Sequence, residues 1–123
     1  MFLEVKRSPM SYLQHKDMDP AYIAPITRDF RINMNFVAEC SHYTIRENTT
    51  RKTLDNNNIT VPVDTNVIHL EMSYTHSTHT HQRNQKDEHT INERYYFKLV
   101  FFPGAENEFL RIKTIIDRLT FSD

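Results

Sequence analysis

The segment RYYFKLVFF, residues 94–102, is followed by Pro103-Gly104 and then by AENEFLRIKTIIDRL, residues 105–119. The first part is almost continuously apolar, which predicts a central strand covered on both faces. In the last part apolar side chains recur at helical spacing, at Phe109, Ile112, Ile115, Ile116 and Leu119. This spacing predicts an amphipathic C-terminal helix that lays its apolar stripe on a sheet.

Upstream, three stretches have the period of two that is typical of half-buried strands. They are residues 30–36, residues 59–63 and residues 67–75. Val37 and Ala38 disturb the alternation directly after the first stretch and favour a bulge or bend there. Pro62 cannot donate to a ladder, so residues 59–63 are expected at a sheet edge, open to a partner strand. Ser8-Pro9 has the pattern of a helix start and predicts a short N-terminal helix. Residues 47–58 and 76–92 are polar and are expected to be loops.

Together these elements predict a single domain, residues 1–123, of the α+β class. We expect an antiparallel sheet of about four to five strands, a short N-terminal helix and a C-terminal helix packed on one face.

Glycine scarcity argues against most enzyme motifs, because Gly104 is the only glycine in 123 residues. Phosphate-binding loops and nucleotide fingerprints depend on glycine for positive φ and close backbone approach. The 15 basic and 16 acidic residues give a net charge of −1, without the basic excess of a general nucleic-acid binder. A single cysteine, and no apparent signal or membrane-spanning segment, lead us to expect a cytoplasmic or nuclear protein with no cofactor.

A histidine cluster, His76, His79 and His81, is the sharpest candidate for chemistry. Two histidines at i and i+2 on an extended segment point the same way and can share a metal ion. A metal-dependent enzyme is therefore one alternative. The competing interpretation is a solvated polar loop, since the spacing to Glu88 and His89 matches no established motif, and we assign no metal ligand from it.

Cys40 and His42 form a second, weaker candidate, because residues two apart on a strand share a face and a base beside a thiol can activate it. A small core cysteine is the alternative. Nucleic-acid binding is another function class, in which basic residues of two loops contact phosphates: Arg51, Lys52, Arg83 and Lys86.

The apolar stripe of the C-terminal helix, together with the aromatic residue that follows it, gives the leading hypothesis. These residues either pack in the core or dock on another subunit: Phe109, Ile112, Ile116 and Phe121. We therefore expect a non-enzymatic protein–protein interaction module, a subunit of a larger assembly or a homo-oligomer, that does not bind membranes.

Overall fold

The computed structural model describes residues 1–81 and 88–120, without the side chains of residues 76–81, 88–92 and 120. Within this part of the chain the elements are β1 Phe2–Val5, β2 Ser11–His15, β3 Ala24–Pro25, β4 Phe30–Asn33, a 3₁₀ turn Met34–Phe36, β5 Val37–Thr44, β6 Thr49–Lys52, β7 Asn58–Val61, β8 Asn66–His81, β9 Glu88–Phe101 and α1 Glu106–Thr120.

The main sheet has five strands in the order β3-β2-β9-β8-β5, and all neighbours are antiparallel. Two further pairs, β1 with β4 and β6 with β7, form separate two-stranded sheets. The predicted α+β class, the antiparallel sheet and the C-terminal helix are confirmed.

β9 lies in the middle of the main sheet, and the side chains of its last three residues, 99–101, are buried on both faces. Leu99 and Phe101 point to the face that α1 covers, here called the helix face. Val100 points to the opposite face, here called the hairpin face because the β6–β7 hairpin contributes to its cover. Burial on both sides explains why alternation is lost in residues 94–102.

On the helix face, α1 and the β1–β4 pair enclose the larger core. Ile112 of α1 and Leu3 and Val5 of β1 are fully buried. Arg111 ties the helix to β1, because its guanidinium donates to the carbonyl oxygen of Glu4 at 2.6 Å and also pairs with Glu108. On the hairpin face a smaller apolar cluster consists of Ile23, Val61, Val67, Val100 and Phe102.

The turn between β9 and α1 requires the glycine. The N–H of Ala105 donates to the carbonyl of Phe102 at 2.9 Å, and Gly104 between them has φ +108°. Pro103 at the second turn position and glycine at the third match a type II turn.

The prediction of a short N-terminal helix is wrong. Ser8 and Ser11 instead enclose a turn, in which the Ser11 N–H donates to the Ser8 carbonyl at 3.3 Å, and β2 follows directly. Pro9 suits the second position of such a turn as well as a first helical position. Pairing with β9 fixes Ser11–His15 as a strand, so tertiary contact overrides the helix signal. Met10, the third turn residue, has φ 68°.

The expected strand over residues 30–36 divides into β4 and the 3₁₀ turn, and β5 begins directly after it. The expected irregularity is confirmed, because the register between β5 and β8 shifts between Val37 and Glu39. Residues 47–58 are not entirely a loop, since β6 lies within them and pairs with β7.

The expectation of a loop over residues 76–92 is wrong for its described backbone. β8 continues to His81, β9 starts at Glu88, and the two strands remain paired as far as His81 with Glu88. Threonine is β-branched and suits an extended backbone, and it occurs here at Thr75, Thr78, Thr80 and Thr90. Polarity therefore misleads at this point, because the backbone hydrogen bonds of a strand pair do not require apolar side chains. Residues 82–87 lie outside the described part.

Candidate functional site

Within residues 1–81 and 88–120, β5 is one outer strand of the main sheet and pairs with β8 alone. Residues 38–44 are all exposed. β3, at the other edge, is a two-residue strand that contains Pro25. An outer strand of eight residues, whose second side is unpaired among the residues that the structure describes, is a template for adding another strand, whereas a short, proline-bearing edge is not.

The backbone hydrogen bonds at the end of β5 show which residues face outward. The Ile45 N–H donates to Thr65 O at 2.7 Å, and the Ile45 carbonyl accepts from the Asp64 N–H at 2.9 Å. Ile45 therefore directs both backbone groups toward the β8 side. Because successive residues of a strand alternate in this respect, a second set directs its N–H and C=O away from β8. This set, here called the outward residues, is Cys40, His42 and Thr44.

A groove of about 320 Å³ lies between β5 and α1 on the helix face. Its lining combines apolar side chains with an ion pair, and consists of Cys40, Ser41, His42, Ile68, Lys113, Ile116 and Asp117. The His42 ring meets Phe109 edge to face, with centroids 6.3 Å apart. Lys113 Nζ lies 2.7 Å from Asp117 Oδ2, one helical turn along. The groove therefore has an apolar floor and one charge of each sign on its helical wall.

Cys40 and His42 do lie together, as the sequence predicts for two residues on one strand face. Partial burial raises the pKa of the Cys40 thiol above its usual value. A thiol with a raised pKa is mostly protonated at neutral pH and is a weak nucleophile. Cys40 is exposed and lines the groove, so the alternative of a small core cysteine is wrong.

The structure places three of the four proposed helix contacts in the core. Phe109 and Ile116 are 8% exposed and Ile112 is 0% exposed, all within the cluster on the helix face. The sequence allowed these residues either to pack in the core or to dock on another subunit, and in the isolated chain these three pack in the core. Phe121 lies outside the described residues.

Arg51 and Lys52, two of the four proposed phosphate contacts, lie on β6. Arg83 and Lys86 lie outside the described residues. Burial raises the pKa of Tyr43, the nearby Arg51 charge lowers it and Tyr96 raises it further. The Arg51 guanidinium therefore lies close enough to the Tyr43 phenol to oppose part of this rise in its pKa.

His76, His79 and His81 belong to β8, but their side chains are not among those described. Among the side chains that the structure does describe, no three of His, Cys, Asp or Glu come close enough together to hold a metal ion. Whether the histidine cluster binds metal stays an open prediction.

Residues 59–63 were expected at a sheet edge, and β7 does lie at one, because in the described part of the chain it pairs with β6 alone in a two-stranded sheet. Val61 at its end packs in the hairpin-face core. The β5 edge and the helix wall formed by Lys113 and Asp117 were not predicted. One signal was present, because residues 37–44 contain no Pro, Gly or Lys, the residues that usually terminate or protect edges. Strand order was the missing information.

No helix within residues 1–81 and 88–120 is long and apolar enough to cross a membrane. A scan against protein-family models gives no match for this chain, and searches of curated proteins and of solved structures give no significant match. The site is therefore interpreted from its own geometry.

Proposed function

We propose that this protein is a non-enzymatic protein–protein interaction module, a subunit of a larger assembly that binds an extended protein segment along β5. The observation that carries the proposal is the outward direction of the backbone groups of Cys40, His42 and Thr44 on an exposed outer strand. Main-chain hydrogen bonds to such an edge supply affinity that does not depend on the partner's side chains.

The groove between β5 and α1 supplies selectivity for the added strand. Alternate side chains of an extended segment point to the same face of the sheet, so every second residue of a bound strand faces the groove. Ile68 and Ile116 offer apolar contact there, while Lys113 and Asp117 favour polar groups at the rim. We therefore expect selected segments to alternate, with apolar residues on the helix face.

The experiment is selection from a display library of random dodecapeptides, followed by fluorescence anisotropy of the selected peptides with the folded protein. His42→Pro removes one outward N–H without breaking the ladder to β8, since proline is tolerated where the N–H faces solvent. His42→Val is the matched control, because it also removes the imidazole but keeps the N–H. We expect His42→Pro to weaken binding at least about ten-fold and His42→Val to change it less than about three-fold.

Hydrogen exchange locates the bound segment independently of substitutions. In the complex, the amides of Cys40, His42 and Thr44 should gain protection relative to the free protein. Equal binding by wild type and His42→Pro, or protection confined to other strands, would contradict the proposal.

Single-stranded nucleic-acid binding is the second candidate, and it is favoured by the hairpin face. Arg51 acts on Tyr43, and Lys98 Nζ lies 5.6 Å from the centroid of the Tyr96 ring. Aromatic rings with cations nearby are the elements that stack bases and neutralise phosphates. Anisotropy with a labelled oligothymidine tests this candidate: binding that falls steeply with salt and is lost in Arg51→Ala/Lys52→Ala supports it, and salt-independent or absent binding excludes it.

A further inference from the structure

We infer that the strand which occupies the β5 edge is β5 of a second copy of this chain, antiparallel across a two-fold axis. The inference rests on the proposed function, because it names the partner for the same edge. In such a pair the main sheet continues from one copy into the other, and both α1 helices lie on the same side of it.

The charge pattern of β5 permits this pairing. Its only formally charged side chain among Lys, Arg, Asp and Glu is Glu39, which lies next to the register shift near one end. An axis between Cys40 and His42, where the strand lines the groove, never places Glu39 opposite Glu39 of the second copy. Like charges directly opposite each other destabilise a strand pair, and this arrangement avoids them.

The helix wall adds charge complementarity. Lys113 and Asp117 both line the groove beside Cys40 and His42, so they lie on the side of α1 toward the β5 edge. A two-fold axis reverses the helix direction in the second copy. Lys113 of each copy then faces Asp117 of the other copy. This attraction between opposite charges occurs twice, as does every contact in an isologous interface.

Edge protection distinguishes the two edges of the sheet. Natural sheets protect exposed edges by short strands, proline, lysine or a covering element. β3 has the first two of these, whereas β5 has eight residues and neither proline nor lysine. A second copy covers this edge with matched backbone groups, because both strands present the same set of outward residues.

The first test is the oligomeric state of the full chain by sedimentation velocity over a concentration series. We expect a monomer–dimer equilibrium that His42→Pro shifts toward monomer at least about ten-fold further than His42→Val does, because both variants lose the imidazole and only the proline variant loses the outward N–H. Circular dichroism confirms that each variant is folded. A wild-type chain that stays monomeric across the series overturns the inference.

The second test exchanges charges on the helix wall. Lys113→Glu gives each helix two acidic groups there, and Asp117→Lys gives each helix two basic groups. Each variant alone should dimerise at least about ten-fold more weakly than wild type, and an equimolar mixture of the two should recover association. If the mixture associates no better than its components, the inference is wrong, even where the wild type dimerises.

The third test locates the axis by cysteine cross-linking. Directly opposed residues of an antiparallel pair lie about 4.5–5.5 Å apart at Cα, within the range of a disulfide. The β5 positions tested are Cys40 itself, and Ser41→Cys or His42→Cys in a Cys40→Ser background. The control is Thr60→Cys in the same background, because Thr60 lies on the separate β6–β7 hairpin. At least one β5 position should cross-link under mild oxidation well above Thr60→Cys; no excess at any of them contradicts the inference.

Peptide binding with a strictly monomeric wild type would refute self-pairing but leave the proposed function intact.

Discussion

The imidazole of His42 meets the ring of Phe109 edge to face, with centroids 6.3 Å apart. This contact joins the outer strand of the sheet to the first half of α1. Phe109 is also 5.9 Å from the ring of Phe101, on the central strand. The wall of the groove is therefore attached to the most buried part of the molecule.

Ile112→Ala should destabilise the protein by about 2–5 kcal/mol, because its side chain is 0% exposed and its removal leaves a cavity under α1. Leu110→Ala is the matched control on the same helix. Leu110 is 54% exposed, so its loss should change the free energy of unfolding by about 0.5 kcal/mol or less. Urea unfolding monitored by circular dichroism gives both values. Similar effects of the two substitutions would contradict the observed orientation of α1.

Gly104→Ala should destabilise the protein by about 1–3 kcal/mol through backbone strain alone. The φ of +108° is one that residues with a Cβ rarely adopt, whereas space is not limiting, since the nearest atom to an added Cβ is Met10 Cγ at 3.9 Å. Asn107→Ala is a suitable control, because Asn107 is an exposed helical residue and its replacement should be close to neutral. Thermal unfolding measures the difference, and a neutral Gly104→Ala would argue against this turn geometry.

Arg111→Ala should lower the free energy of unfolding by about 1–2 kcal/mol, because it removes the donor to the Glu4 carbonyl and the partner of Glu108. Arg111→Lys should recover only part of this loss, since an ammonium group cannot reproduce the planar fork of the guanidinium. Proteolysis at the N-terminus offers a second readout. Cleavage near β1 should accelerate in Arg111→Ala if this side chain holds the strand in place.

Alkaline pH should destabilise the protein through Tyr95. Burial, followed by the Asp17 charge, raises the pKa of its phenol to about 12, against about 10 in an unfolded chain. The folded state keeps the proton that the unfolded state loses, so this stabilisation of the neutral form is fully present below pH ~10 and is lost as the pH rises toward ~12. The urea midpoint of wild type should fall more steeply across this window than that of Tyr95→Phe. Parallel curves would show that Tyr95 does not contribute.

The sequence predicted well those elements whose patterns reflect local burial. The helical spacing of Phe109, Ile112 and Ile116 identified α1, and the apolar run over residues 94–102 identified the central strand. Both patterns result from contact with a core, so they can be recognised without knowing the partner element.

The errors arose where local signals have two solutions. Ser8-Pro9 suits a helix start and also a turn, and the pairing of β2 with β9 selects the turn. Residues 76–81 and 88–92 are polar and lack the apolar periodicity of a half-buried strand. Their backbone nevertheless continues the antiparallel pairing of β8 with β9. The β5 edge was missed for a different reason: whether a strand is central or outer depends on sheet order, which one sequence does not encode locally.

Met10 lies at φ 68°, in a region where a side chain costs about 1–2 kcal/mol and glycine costs little. The same turn with glycine at position 10 would relieve that strain, less the greater freedom of glycine in the unfolded chain. Replacing Met10, which lies away from β5, can therefore raise the free energy of unfolding without changing the edge strand. A Met10→Gly background would accept edge substitutions that the native chain rejects, and it offers a starting point for evolving altered partner selectivity.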